Sequence, residues 1–388
     1  MVRARAVVSG SPQWSTRDAV DTNPILPDYS GANVSAIVPG LLGGTAGRTS
    51  LPAWFPQCVT GANQVVLFVV DGLGWDQLQR WAAVAPTIAA MEGGPITTVA
   101  PSTTATALTS IATGLTPAEH GILGYRVDLG GEVVNMLRWS SSKGDARHRV
   151  PPRDLQPQRA FLGTSVPVVS KADLQNSAFT EAHLFGVRHH GWRVPSNLGV
   201  EVQGLLERGE RFVYAYYDGL DKVAHEFGFG PFYDAELRTI DRMVGDLLDL
   251  LPSGAVLCVT ADHGQVHVGD RVFAPCADAL ALTRHQSGEG RFRWLHARPG
   301  SAAALVEACA AHQDVAWVAP RERVLDEAWF GPYMSTAVSK RLGDVALVAR
   351  EDVSFEDPAD SGPFVLVCRH GSLTPAEMYV PFVAGSRR

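Results

Sequence analysis

Six side chains of metal-ligating type fall in short glycine-bearing motifs of this 388-residue chain. Asp71 lies in "VVDGLG", Asp221 and His225 are four apart in "DGLDKVAHEFG", Asp262 adjoins His263 in "TADHG", and His370 belongs to "CRHG". On a helix, a spacing of four puts Asp221 and His225 on one face within reach of a single cation. An adjacent Asp and His at the end of an apolar run are costly to bury without a partner, and a metal ion is such a partner. Asp218, in "YYDG", competes as a ligand, although the glycine after it suits a turn at a strand end. Taken singly, each of these residues has an ordinary reading as a turn or cap. Together the three Asp and three His provide two sets of nitrogen and oxygen donors, a dinuclear site of a kind that suits Zn, with Mn or Fe as alternatives. Two ions about 4 Å apart can clamp the attacking and leaving oxygens of a phosphoryl group.

The elements that would position these groups are legible as short apolar runs, at 64–72, 211–219, 255–264 and 363–371. Each lacks alternation, is rich in Val, Phe or Tyr, and ends in Asp or His next to Gly. Continuous apolar runs of this length suit strands buried on both faces, with helical patterns such as "YDAELRTIDRMVGDLLDLL" between them. The expected fold is α/β, a mostly parallel sheet sandwiched by helices, whose ligands bind beyond the carboxyl ends of the strands. Residues 265–355 read as an inserted α+β cap and 21–264 with 356–388 as the core. Residues 141–175, rich in Pro, Arg and Ser, read as an irregular surface excursion, and about the first 20 as loosely ordered.

Composition excludes several classes. With 33 basic against 40 acidic residues there is no global positive field for a nucleic-acid polymer, and an anionic ligand has to be drawn by local groups or metals. The N-terminal "MVRARAVVSGSPQWSTRD" lacks the apolar run of a secretory signal, and no window approaches a membrane span, so a cytoplasmic location is expected. The five cysteines are spread without CxxC spacing, as buried hydrophobes of a reducing compartment would be. The glycines after Asp71 do not make GxGxxG, which argues against a dinucleotide site.

The order Asp71, "PSTTATALTSIATGLTPAEHGIL", Asp221 with His225, Asp262 with His263, then His370 resembles the alkaline phosphatase superfamily, most closely its type I phosphodiesterase/nucleotide pyrophosphatase family, over about residues 64–384. The resemblance implies a phosphoric ester hydrolase that cleaves phosphodiester or pyrophosphate bonds of a small phosphate-containing molecule through a phosphothreonine intermediate. It places the nucleophile at Thr104, with Thr103 one residue off register. It also assigns one metal to Asp221, His225 and His370, and the other to Asp71, Thr104, Asp262 and His263. Thr106, Thr109 and Ser110 are left to helix packing. Where nucleotide-cleaving members carry an Asn that donates to phosphate, this chain has Tyr125, whose hydroxyl could donate instead. The aromatic that follows their nucleophile is Ala105 here. His189, His190, His267, Arg126 and Asn135 stand outside this core assignment. Phosphomonoester or phosphonate hydrolysis and phosphotransfer are the alternatives on the same scaffold, and a catalytically silent metal-containing binding protein is the alternative of another class. The related mutases use Ser at position 104, and the sulfatase Pro-x-Arg motif is missing there.

Overall fold

A computed structural model describes residues 23–43, 51–360 and 365–387. The N-terminal stretch considered for a signal peptide lies outside the described residues, among which no helix is long and apolar enough to cross a membrane.

The main sheet has seven strands, β1 (Gln64–Val70), β2 (Glu92–Thr97), β3 (Pro167–Lys171), β4 (Arg188–Trp192), β5 (Phe212–Tyr217), β6 (Ala255–Thr260) and β7 (Tyr379–Ser386). Their spatial order is β2-β7-β6-β1-β5-β3-β4. Pairings from β6 through β4 are parallel, and β7 runs antiparallel to both β6 and β2. Every residue of β5 and β6 is buried, as is all of β1 after Gln64. That double-sided burial explains why these three strands read as unbroken apolar runs. Helix α1 (Thr104–Thr113) is buried along its whole length, α2 (Gly219–Phe227) follows β5 directly, and α3 (Pro231–Leu250) lays an apolar stripe of Tyr233, Leu237, Ile240, Val244, Leu247 and Leu248 into the core.

Two expectations change. The run 363–371 does not enter the main sheet. Only Cys368–Arg369 form a short ribbon with Val266–His267, and residues 361–364 lie outside the described residues. The sheet is completed instead by β7, whose Pro381 and Gly385 disguise a strand. The excursion at 141–175 contains β3, a buried five-residue strand hidden in Pro-rich surroundings.

Residues 283–349 carry a separate antiparallel sheet, ordered Thr283–Glu289, Phe292–Ala297, Val345–Ala349, Ala316–Pro320, with the helix Ala302–Cys309 packed against it. The first two strands form a hairpin whose turn is Gly290-Arg291, with Glu289 paired to Phe292.

Candidate metal centre

Strands β1 and β6 lie side by side, so the residues just beyond their ends, Asp71 and Asp262–His263, are neighbours. Helix α2 springs from the end of β5, on the other side of β1, and brings Asp221 and His225. Gly72 follows Asp71 with φ +77°, and a Cβ there would lie 3.2 Å from the Asp221 Cα and 2.5 Å from the Gln265 amide. Only glycine lets the β1 and α2 segments approach so closely.

The structure brings the six predicted ligands into two trios, in each of which the ligand atoms lie within 4.8 Å of one another: Asp71, Asp262 and His263, and Asp221, His225 and His370. His263 Nε2 is 3.5 Å from Asp71 Oδ1 and 3.4 Å from Asp262 Oδ2. Asp221 Oδ1 is 3.3 Å from His225 Nε2 and 3.8 Å from His370 Nε2. The trios adjoin, because the rings of His263 and His370 stack with centroids 3.6 Å apart. They differ in access: the side chains of Asp262 and His263 are 0% exposed, whereas those of Asp221 and His225 keep 14% and 16%.

The donors fit a cation. Each imidazole has its Nδ1 on a backbone carbonyl: His225 on Cys368 at 2.7 Å, His370 on Ser102 at 3.0 Å and His263 on Gly264 at 3.1 Å. A carbonyl only accepts, so Nδ1 carries the proton and each Nε2 presents a lone pair to the centre. Asp71 accepts the Tyr216 hydroxyl on Oδ2, and Asp262 Oδ1 accepts the backbone N–H of Gly72 at 3.1 Å. Their other oxygens, Asp71 Oδ1 and Asp262 Oδ2, are buried without a hydrogen-bond partner among the described residues. Electrostatics agree. Burial, then the neighbouring carboxylates, pushes the Asp71 pKa well above its ordinary value, and burial raises those of Asp221 and Asp262. Burial lowers the His263 pKa, and burial reinforced by His263 and His225 lowers that of His370. Carboxylates that resist ionising and imidazoles held neutral form a set that a divalent ion satisfies.

Thr104 opens α1, and its Oγ1 lies 3.1 Å from His263 Nε2. Thr103 is the helix N-cap and its hydroxyl faces Glu289 instead. The remaining helix hydroxyls serve packing: Thr109 donates to the Ala105 carbonyl at 2.7 Å and Ser110 meets His120 at 2.9 Å. Asp218 is ion-paired with Lys222. Tyr125 is largely buried, with its hydroxyl against Asn135, and burial raises its pKa. Arg126 is paired with Asp357. His267 sits beside Cys368 in the ribbon, outside both trios. His189 and His190, left outside the core assignment, are on β4 at the sheet edge, with His190 3.7 Å from Glu201.

Tyr216 and Gln265, which hydrogen-bond Asp71 and, at 2.8 Å, Asp221, escaped the sequence reading. Their signal was present, since each lies within a strand-end motif. A third group, Asp128, His285 and His296, joins the 126–128 strand to the 283–297 hairpin, but Asp128 Oδ2 already meets His285 Nε2 at 2.9 Å.

Residues 65–372 match the type I phosphodiesterase/nucleotide pyrophosphatase family. The chain belongs to that family. As a type I phosphodiesterase/nucleotide pyrophosphatase family member it is a phosphoric ester hydrolase. A comparison with curated proteins finds no match. Among solved structures, murine ectonucleotide pyrophosphatase/phosphodiesterase 5 is 16% identical, with TM-score 0.61, over 83% of this chain and 88% of that one. The same murine protein as an inactive Thr→Ala variant in complex with AMP is 15% identical, with TM-score 0.62, over 84% and 88%. Phosphonoacetate hydrolase from Sinorhizobium meliloti 1021, in complex with phosphonoacetate, is 20% identical, with TM-score 0.61, over 84% and 91%. At these identities the likeness establishes that this family member shares their fold.

Proposed function

We propose that this enzyme hydrolyses a phosphodiester or pyrophosphate bond of a small molecule with Thr104 as nucleophile. The observation that carries the reading is the Thr104 hydroxyl, 3.1 Å from His263 Nε2, at the head of a buried helix and beside two Asp/His trios. Asp221, His225 and His370 would hold one divalent ion, and Asp71, Asp262, His263 and Thr104 the other, zinc suiting the donor set. Bound there, such ions supply Lewis-acid charge for the phosphoryl oxygens and lower the pKa of a coordinated hydroxyl. The rest falls to the chain. The N-terminus of α1, where Thr104 sits, would add a helix dipole that favours the charge of a phosphoryl group bound there. Thr104 attacks phosphorus in line with the departing oxygen, and the resulting phosphothreonine is hydrolysed by water entering over the partly exposed Asp221 trio. The Tyr125 hydroxyl would donate to a non-bridging oxygen. Residues 265–355 would act as a cap on a core made of 21–264 and 356–388. A cytoplasmic setting is the accompanying expectation.

The inactive Thr→Ala form of the murine relative, in complex with AMP, supports a threonine nucleophile. A second reading, cleavage of a phosphonate, is favoured by the likeness to phosphonoacetate hydrolase. The test compares bis-p-nitrophenyl phosphate, p-nitrophenyl phosphate and phosphonoacetate, with and without chelator, for wild type, Thr104→Ala and Thr103→Ala. Diester turnover that exceeds monoester turnover, stops on chelation and falls on the order of 10³-fold in Thr104→Ala is expected, with Thr103→Ala within about tenfold of wild type. Equal or faster monoester or phosphonate turnover overturns the diesterase assignment.

A further inference from the structure

Outside the two trios, Asp128, His285 and His296 form a third set whose ligand atoms all lie within 4.8 Å of one another. Two separate pieces of chain assemble it. His285 and His296 stand directly opposite each other across the antiparallel 283–297 hairpin, and Asp128 ends the strand Arg126–Asp128, which pairs with Val133–Asn135 in a different sheet. Opposed residues on neighbouring antiparallel strands have Cβ atoms about 5 Å apart, so the hairpin itself can offer two imidazoles to one point. Their rings stack with centroids 4.2 Å apart, and each turns a nitrogen to the same oxygen. Asp128 Oδ2 is 2.9 Å from His285 Nε2 and 3.4 Å from His296 Nδ1. Asp128 and His296 are buried, whereas the His285 side chain keeps 22% exposure.

A shared proton accounts for only part of this arrangement. The 2.9 Å contact is a hydrogen bond, whereas 3.4 Å is long for one. That longer separation is the edge of a tetrahedron whose ion–ligand bonds are about 2.1 Å. The two trios of the metal centre hold carboxylate oxygen and imidazole nitrogen at similar separations, 3.3 and 3.8 Å in one, 3.4 and 3.5 Å in the other. The surrounding polar groups are placed as the outer shell of a ligand set. His296 Nε2 lies 2.8 Å from the Ser287 hydroxyl, which can accept its N–H and leave Nδ1 with a lone pair toward Asp128. Asp128 Oδ1 accepts the backbone N–H of Gly131, so Oδ2 is the oxygen left for a cation. His285 Nδ1 is met by the exposed Arg284 at 3.3 Å, a contact that can yield to solvent and let that nitrogen carry the proton. His285 also lines a cavity of about 630 Å³, which gives an ion a way in and space for water in its remaining positions. Gln286 lines the same cavity with its Oε1 buried and without a hydrogen-bond partner among the described residues, an acceptor for such water.

We propose that Asp128, His285 and His296 bind a divalent transition-metal ion at a site of its own, apart from the metal centre, and that this ion staples the 283–297 hairpin to the 126–135 ribbon. Two imidazoles and one carboxylate suit zinc, with Fe or Mn accommodated by the same donors. Ligation releases the proton that His285 Nε2 now shares with Asp128, and the ion takes its place between nitrogen and oxygen. The ion joins Asp128 to a residue 157 positions away in the sequence, so it stabilises the docking of hairpin on ribbon rather than either piece alone. Nothing in this inference depends on which bond the Thr104 site cleaves.

The test counts zinc per chain by elemental mass spectrometry after metal-free protein is dialysed against zinc, for wild type, His285→Gln, Asp128→Asn and the double variant. Each single variant is expected to hold one ion fewer than wild type, and the double variant one fewer rather than two, because both residues serve the same ion. Single-variant counts equal to wild type overturn the site, as does a double variant that loses two. The readout is a difference between proteins, so a failure of the two-trio reading lowers all four counts together and leaves this inference standing. Should the variants not fold, wild type decides. Zinc is expected to protect His285 from carbethoxylation by diethyl pyrocarbonate, read by peptide mass spectrometry, and equal labelling with and without zinc overturns the proposal.

Discussion

Replacing Asp71 by Asn separates the two consequences of its carboxylate, repulsion without metal and ligation with it. The amide oxygen can keep the hydrogen bond from Tyr216, and its NH₂ would face the bare lone pair of His263 Nε2, 3.5 Å from the oxygen it replaces. In metal-free protein the ligand oxygens of Asp71 and Asp262 lie within 4.8 Å of each other. Two unit charges at that separation repel by about 3 kcal/mol at an effective dielectric constant of about 20. Burial first and that repulsion second raise the Asp71 pKa, and holding a proton avoids part of both costs. Asn removes the conflict, so metal-free Asp71→Asn should be more stable than wild type by about 1–3 kcal/mol, a few degrees in Tm for a chain of this size. With zinc present the order should reverse. Each hundredfold loss of affinity removes about 2.7 kcal/mol of ligand-linked stability. Thermal unfolding of both proteins in chelator and in excess zinc tests this. A variant that melts below wild type in chelator, or gains as much from zinc as wild type does, would refute the two-trio reading.

Two further perturbations probe what holds the site in place. Arg291, fully buried, forms paired hydrogen bonds of 2.7 and 2.8 Å with Glu377, whose carboxylate also accepts the Ser372 N–H two residues beyond His370. Arg291→Met strands that charge and should cost about 3–5 kcal/mol in urea unfolding, and a loss below about 1 kcal/mol would refute it. His120 lies buried under α1, with its Nε2 2.9 Å from Ser110 Oγ, and burial, then Arg341, lowers its pKa to about 3. The unfolded chain takes up that proton near pH 6.5 while the folded one refuses it until about pH 3, so stability falls on acidification through that window. His120→Gln should flatten the slope there by one proton, about 1.4 kcal/mol per pH unit, and an unchanged slope counts against the assignment.

Asp221 with His225, and Asp262 with His263, could be read as ligand pairs because their partner lies within one turn or one peptide, where spacing alone determines geometry. Asp71 and His370 offered no local partner. Their place came from the rule that loops converge at the carboxyl ends of parallel strands. The same reasoning failed at 363–371, because an apolar run ending in His looks alike whether it enters the central sheet or pairs for two residues with Val266–His267. It failed again at β3 and β7, where proline masks strands whose burial is imposed by neighbours distant in sequence.

Glu289 marks a deeper limit. Nothing in "QSGEGRF" separates it from a solvated turn residue, since its environment is supplied by Thr103, Tyr125 and Gly371, brought up from three other loops. Metal ligands announce themselves by residue type, because few side chains bind cations. A carboxyl such as Glu289 carries no such mark in its residue type, because its burial depends on tertiary contacts. The ligand types of the metal centre are therefore largely legible in local sequence, whereas the surroundings of Glu289 are set by how the 283–297 hairpin meets the loops around Thr103, Tyr125 and Gly371, which no local pattern encodes.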